Sequence, residues 1–314
     1  MTVSARIAEL KIFDNQEIKS SFQYKQTDIE TLEHSYQISW EIFKENSKSF
    51  SFAAKFLSEE KRKSLAAVYS FFRLIDDLVD VSNLCREEIK QQLDQNKWII
   101  SEISRGNLIT SHPIYLALRD TILRYRIPKE VFYHFIDGIE LDLRLKEIQS
   151  EEELNTYSYH VASTVGIIFC FIFGVQNPKT LERAAALGIA MQRTNCLRDI
   201  AEDYSKGRIY IPKETRRSFG VKGSDLSKKR INSNLKKLLI YEINQARNWY
   251  NKAELGIKDL PSDAAFVTKL ASRVYAEILN EIERMNYEVL QKRAIVSKVR
   301  KIIIFLKLKL VSFF

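Results

Sequence analysis

The sequence predicts an all-α protein, and three observations carry that reading. Only nine Gly and five Pro interrupt 314 residues, so few positions force a turn and most of the chain is free to propagate helix. Beyond residue 27 apolar residues recur at helical spacing almost continuously, and no alternating run is long enough for a sheet. Hydrophobic residues make up 45% of the chain, ample for a sizeable core. There is neither an internal repeat nor a low-complexity linker, so one domain over 31–314 is the economical organisation, preceded by a polar, partly frayed leader over 1–30.

The helices follow in order from their start signals. Ser58 is placed to cap a helix running through Asp80, and helices are expected over 84–105, 113–125 and 129–146. Ser150 with Glu153 forms an S-x-x-E capping box that opens the helix containing Tyr157 and Val161. Asn177 followed by Pro178 starts another, expected to reach about Asp203, with further helices over 232–257, 262–290 and 296–308. The longest uncharged apolar run, 161–175, includes Ser163, Thr164 and Gly166; its 15 residues are too few to span a bilayer, and it predicts a buried core helix.

Charge is distributed unevenly. From Tyr204 onward there are 24 Lys and Arg against 10 Asp and Glu, a balance of +14, while the first 203 residues carry 25 against 30. Two readings stand: an anionic partner such as a phospholipid surface, a diphosphate or nucleic acid, and a lysine-rich solvated face. Cys85, Cys170 and Cys196 lie far apart, without the spacing of a zinc site or a disulfide framework, which fits a reducing cytoplasm. The N-terminus carries charges where a signal peptide needs an apolar core.

Two segments carry chemistry. In Tyr69-Ser70-Phe71-Phe72-Arg73-Leu74-Ile75-Asp76-Asp77-Leu78-Val79-Asp80, helical geometry puts Tyr69, Arg73, Asp76 and Asp80 on one face. In the stretch from Gln192 to Asp203, the same geometry aligns Gln192, Asn195, Asp199 and Asp203. Like charges one turn apart repel, so each pair needs a cation. Mg²⁺ prefers one or two carboxylates plus substrate phosphate oxygens and waters to a complete protein cage. Two such helices face to face would clamp a diphosphate, with Arg73 and Arg198 adding forked donors. One D-x-x-x-D is usually a solvated surface; two, each beside an arginine in an apolar stretch, favour a metal-diphosphate site. The four His residues, His34, His112, His134 and His160, are scattered and are read as structural or surface groups.

At these residues the sequence resembles the squalene and phytoene synthase family of head-to-head prenyl transferases, over 46–308. The likeness is carried by Ser47-Lys48-Ser49-Phe50, the segment from Tyr69 to Asp80, Asp137-Gly138 with Asp142, Tyr157 with Val161-Ala162, Val165-Gly166, the segment from Gln192 to Asp203, and Gly207-Arg208-Ile209-Tyr210-Ile211-Pro212. The resemblance implies an isoprenoid-synthase-like bundle around a central tunnel, with the acidic helices facing at its mouth. It implies that Asp76, Asp80, Asp199 and Asp203 bind Mg²⁺, or Mn²⁺ in its place, and that Tyr157 is catalytic. Arg73, Arg198 and Arg208 with Tyr69 and Tyr210 would contact diphosphate, and Tyr275 and Arg293 would reach it too. Ser47, Ser49 and Phe50 would line the mouth, Gln192 and Asn195 would support the second site, and Val161 would touch substrate. Ser163 stands where many relatives have Gly, and Asn46 where a His is common; neither touches the metal logic.

The implied reaction joins two allylic diphosphates to a cyclopropylcarbinyl diphosphate, which then ionises and rearranges to a linear hydrocarbon. Ala66 lies one turn before Tyr69, and Ala54 follows the Ser47 to Phe50 motif. Related enzymes using the shorter farnesyl unit tend to be bulky at such positions, so the alanines suggest geranylgeranyl substrates and phytoene, in carotenoid biosynthesis, over dehydrosqualene. Squalene synthase is the nearest rival, and NADPH is expected only in that case. A non-catalytic lipid-binding or assembly factor is a rival of another class, though both aspartate pairs are intact. Nucleic acid is not expected, since the basic residues are not interleaved with a stacking platform. The stretch from Lys298 to Leu310 mixes apolar and basic residues and predicts either peripheral contact with anionic lipid or a packed terminal helix.

Overall fold

Helix starts obey the local chemistry of the chain. The structure, a computed structural model, describes residues 2–10, 26–107, 109–228 and 230–311. Helices α1 (Val3–Glu9), α2 (Gln26–Asn46), α3 (Lys48–Ala54) and α4 (Glu59–Asp80) come first, with the Ser58 hydroxyl capping α4 by accepting from the Lys61 N–H. Then come α5 (Arg86–Ser104), α6 (Pro113–Tyr125), α7 (Lys129–Asp142) and α8 (Glu151–Ser158). At α8 the Ser150 hydroxyl accepts from the Glu153 N–H at 3.2 Å, and the Glu153 carboxylate reaches past Ser150 to the Gln149 N–H at 2.6 Å. A π-helical turn, Tyr159–Ser163, leads into α9 (Thr164–Ile172), followed by α10 (Pro178–Arg198), α11 (Ile200–Ser205) and α12 (Lys213–Ser218). After a 3₁₀ turn come α13 (Ser233–Ile257), α14 (Ser262–Arg284) and α15 (Lys298–Val311). Among the described residues there is no strand, only a parallel bridge between Glu147 and Ile209.

Four features depart from the sequence expectation. Helix α7 stops at Asp142 rather than 146 because the following backbone is recruited by the bridge: the Ile209 N–H donates to Lys146 O and the Ile148 N–H to Ile209 O, both at 2.9 Å. Helix α14 stops at Arg284 rather than 290, and Asn286 and Tyr287 turn the chain with φ of 54° and 66°, the left-handed region. The helix expected to reach Asp203 breaks at Asp199, where φ is −107° and ψ 14°. At the N-terminus, α1 is docked, not frayed: Ile7 and Leu10 are buried in the main core. Residues 11–25 of the expected leader lie outside the described residues.

The apolar run at 161–175 is buried as expected, but its first turn is π-helical. Two glycines let neighbouring helices close on that turn. A Cβ on Gly138 of α7 would sit 2.6 Å from His160 Cβ, and one on Gly188 of α10 would sit 2.4 Å from Ser163 Cα. The Ser163 hydroxyl uses the same contact to donate to Ala185 O at 2.7 Å. Helix α10 is further seated by a buried ion group: Arg193, only 2% exposed, donates to Glu242 of α13 at 2.6 Å and to Glu151 of α8 at 2.8 Å. These contacts set where Tyr157, Asn195 and Asp199 point. All three cysteines are free, Cys85 exposed and Cys170 and Cys196 buried. Among the described residues no helix is long and apolar enough to cross a membrane.

Candidate active site

Helix α4 carries the first acidic pair. Asp76 is pushed up to about 7 by burial and then by the charge of Asp80. Tyr69, two turns before Asp76, stacks its ring 4.6 Å from Phe43 and is pushed up to about 12, chiefly by burial; its hydroxyl is hydrogen-bonded to Ser47. Arg73 pairs with Asp77, one helical turn on, its Nε donating to Oδ2 at 3.1 Å. The i,i+4 geometry favours Asp77, and the guanidinium also lies close enough to Asp76 to lower its pKa.

The second pair straddles the break between α10 and α11. Asp199 is gripped by two guanidinium groups: Arg198 at 2.8 and 2.5 Å and Arg293 at 2.8 and 3.1 Å. One turn earlier, Asn195 donates to Gln192 at 3.2 Å and accepts from the Tyr275 hydroxyl at 3.0 Å. Asp203 is pushed up to about 7 by burial and then by Asp199.

Arg208 joins the two segments. Its N–H donates to Asp203 O at 2.9 Å, and its guanidinium reaches Asp80 Oδ1 at 3.4 Å. Beside it lies Asp142, at the end of α7, accepting from the Tyr157 hydroxyl and the Tyr210 hydroxyl, both at 3.0 Å. The two phenol rings stack 5.0 Å apart. Burial raises the Asp142 carboxyl, Arg208 opposes that shift, and burial pushes the Tyr157 phenol well above its ordinary value. Asp142 is the site residue to which sequence reasoning gave no role, although it stands among the residues that carry the resemblance. Its signal was present in the Asp137-Gly138 to Asp142 segment, but a lone carboxylate has no partner at helical spacing to mark it.

A cavity of about 260 Å³ opens next to these groups, lined by Ser47, Ser49, Phe50, Arg198, Tyr275 and Arg293, among others. The Phe50 ring lies 5.2 Å from that of Tyr275, and Lys301 donates to the Ser49 hydroxyl at 2.8 Å. Val161 packs between the main core and the Tyr157 cluster. Ala54 and Ala66 do not join the site: they are 1% and 0% exposed within the main core, so no water-sized space lies beside either. His134 and His160, read as scattered, are in contact, with the His160 ring bonded to His134 O at 2.7 Å and Arg6 of α1 against its other nitrogen.

Among the described residues, no three His, Cys, Asp or Glu side chains are grouped to hold a metal by themselves. The donor chemistry nevertheless suits a hard cation that brings its own phosphate and water ligands. Carboxylates come in pairs, and one of each pair is driven toward neutrality by burial and then by its neighbour.

An all-helical frame of this form matches a solved dehydrosqualene synthase in complex with ligand at a TM-score of 0.84 and 28% identity, covering 91% of this chain and 99% of that one. It is the isoprenoid-synthase fold. The sequence profile described as squalene/phytoene synthase matches residues 43–300. The 15-cis-phytoene synthase of Synechococcus elongatus is 31% identical over 284 residues, 87% of this chain and 91% of its own. The phytoene synthase of Arthrospira platensis is 32% identical, over 86% and 91% respectively. The chain belongs to the squalene/phytoene synthase family, a family of prenyl transferases.

Proposed function

We propose that the protein joins two geranylgeranyl diphosphates head to head into phytoene, through a cyclopropylcarbinyl diphosphate, as a step of carotenoid biosynthesis. The observation that supports this most is the likeness to phytoene synthases over most of both chains, together with the two acidic segments that Arg208 ties into one neighbourhood.

Asp76 and Asp80 on one side, and Asp199 and Asp203 on the other, are the residues that would hold Mg²⁺, or Mn²⁺ in its place. Bound there, the ion supplies Lewis acidity toward the departing diphosphate. Arg198, Arg208 and Arg293 bind diphosphate oxygens; Arg198 and Arg293 already meet at Asp199, so both guanidinium groups are gathered where they can pass from that carboxylate to the diphosphate as the ion takes it. The donor's C–O bond breaks, the acceptor's double bond attacks the allylic carbon, and a proton is lost as the cyclopropane closes. The Tyr157 hydroxyl takes that proton while its own passes to Asp142, a carboxylate that burial already biases toward the neutral acid. Phe50 lines the cavity, and it would supply aromatic surface to the cation together with Tyr69 and the stacked Tyr157 and Tyr210, and help exclude water.

A second reading keeps the site and shortens the substrate: dehydrosqualene from farnesyl diphosphate. The packed state of Ala54 and Ala66 favours it, since neither faces open space. Purified protein incubated with farnesyl or geranylgeranyl diphosphate, with Mg²⁺ or chelator and with or without NADPH, decides between them. Phytoene from the longer substrate without NADPH is expected. Dehydrosqualene alone establishes the second reading, and squalene formed only with NADPH overturns both.

A further inference from the structure

Helix α15 has two apolar faces, and only one is covered. Ile304, Phe305 and Leu308 pack on the core, with the Phe305 ring 5.1 Å from Phe56. The other face looks outward. Val299, Ile302, Leu306 and Leu310 are 67%, 53%, 52% and 64% exposed, with Ile303 at their edge. At 100° per residue these five form one continuous strip along the helix. A surface helix ordinarily turns polar residues to water, so an outward strip of this continuity marks a docking face.

The chemistry of the borders says what docks. Helical geometry puts Lys298 and Lys309 along one edge of the strip and Lys307 along the other, beside Arg300, whose guanidinium is paired with Glu277 of α14 at 2.7 Å. The helix carries five Lys and Arg and no Asp or Glu. An apolar strip with cationic edges matches a layer of hydrocarbon beneath anionic headgroups: the strip enters the acyl boundary and the lysine stems reach back to phosphate. At 14 residues α15 is about 21 Å long, enough to lie in the interface and too short to span it.

The strip also adjoins the candidate site. Ile295, 72% exposed, stands just ahead of α15 and lines the 260 Å³ cavity, as does Lys301. We propose that α15 docks in the headgroup layer of an anionic membrane and holds the mouth of that cavity against the lipid. The docking rests on α15 alone. Its use, passing an amphiphilic prenyl diphosphate in and a hydrocarbon out, rests on the proposed function.

The test is co-sedimentation of the full chain with vesicles of phosphatidylcholine alone or mixed with phosphatidylglycerol. Ile302→Glu/Leu306→Glu is compared with wild type, and circular dichroism confirms the fold. Wild type is expected to pellet with mixed vesicles, on the order of tenfold less with phosphatidylcholine alone, and the double variant to remain in the supernatant. Lys298→Ala/Lys307→Ala is expected to weaken binding severalfold and to reduce its salt dependence. Wild type left in the supernatant with mixed vesicles, or a double variant that pellets equally, overturns the proposal. So does lipid-free self-association that the double variant abolishes, which would assign the strip to a second copy of the chain. No substrate enters this assay, so its outcome is independent of which hydrocarbon the enzyme makes.

Discussion

The two acidic segments share a spacing and are held in different ways. Asp76 and Asp80 ride on one unbroken helix, where burial and mutual repulsion push Asp76 up to about 7. Asp199 sits at a helix break with two arginines on its carboxylate. Equal spacing marks which carboxylates share a helix face, but neutralisation is decided by what the rest of the chain brings to them. The first segment carries charge that suits an incoming cation; the second carries guanidinium groups already gathered for an incoming anion.

The largest expected effect treats the segments as equals. Asp76→Asn and Asp199→Asn should each lower product formation on the order of 10²–10³-fold, because both are placed at the departing diphosphate. Wild-type turnover in either variant would break the equivalence. The next effect separates them. Arg193→Ala removes the cation that seats α10, leaving Glu242 buried, and should destabilise the protein by about 3–5 kcal/mol in chemical denaturation. Loss of under about 1 kcal/mol would show that the second segment does not depend on this group.

A third prediction concerns the π-turn beside Tyr157. Burial, chiefly, holds His160 down at about 4; the hydrogen bond to the His134 carbonyl opposes that shift, the charges of Arg6 and the His134 ring add to it, and Asp137 opposes it. The unfolded chain therefore takes up a proton first as pH falls. Stability should be full above about pH 6.5 and decline toward pH 4, by at most about 3 kcal/mol. His160→Gln should flatten that part of the melting-temperature profile, and an unchanged slope would count against it. The smallest effect is a difference of sign. Asp76→Asn relieves buried repulsion and should raise stability by about 1 kcal/mol, whereas Asp199→Asn weakens two arginine pairs and should lower it by about 1–2 kcal/mol. Shifts in the same direction would erase the contrast.

Much of this was legible in the sequence where local chemistry decides. Helix α6 begins at Pro113 and ends at Tyr125 as expected, since proline suits a first turn and Arg126 adopts the left-handed conformation just beyond. Asn232 caps α13 through the Leu235 N–H at 2.8 Å. The acidic pairs and Arg208 were visible as spacing and motif. What was not legible depends on distant partners. The bridge to Ile209 ends α7, close packing through Gly138 and Gly188 surrounds the π-turn, and Arg293, placed near the diphosphate by the resemblance, takes Asp199 as its partner from 94 residues away. The Ala54 and Ala66 positions are legible as small residues, but the space beside them is set by the neighbours that fill it.

The most direct test of a single diphosphate site shared by both segments is calorimetric titration of inorganic pyrophosphate, with and without Mg²⁺. Wild type should bind only when Mg²⁺ is present, and Asp76→Asn and Asp199→Asn should each abolish the heat. Undiminished binding in both variants, or binding indifferent to Mg²⁺, would contradict the account.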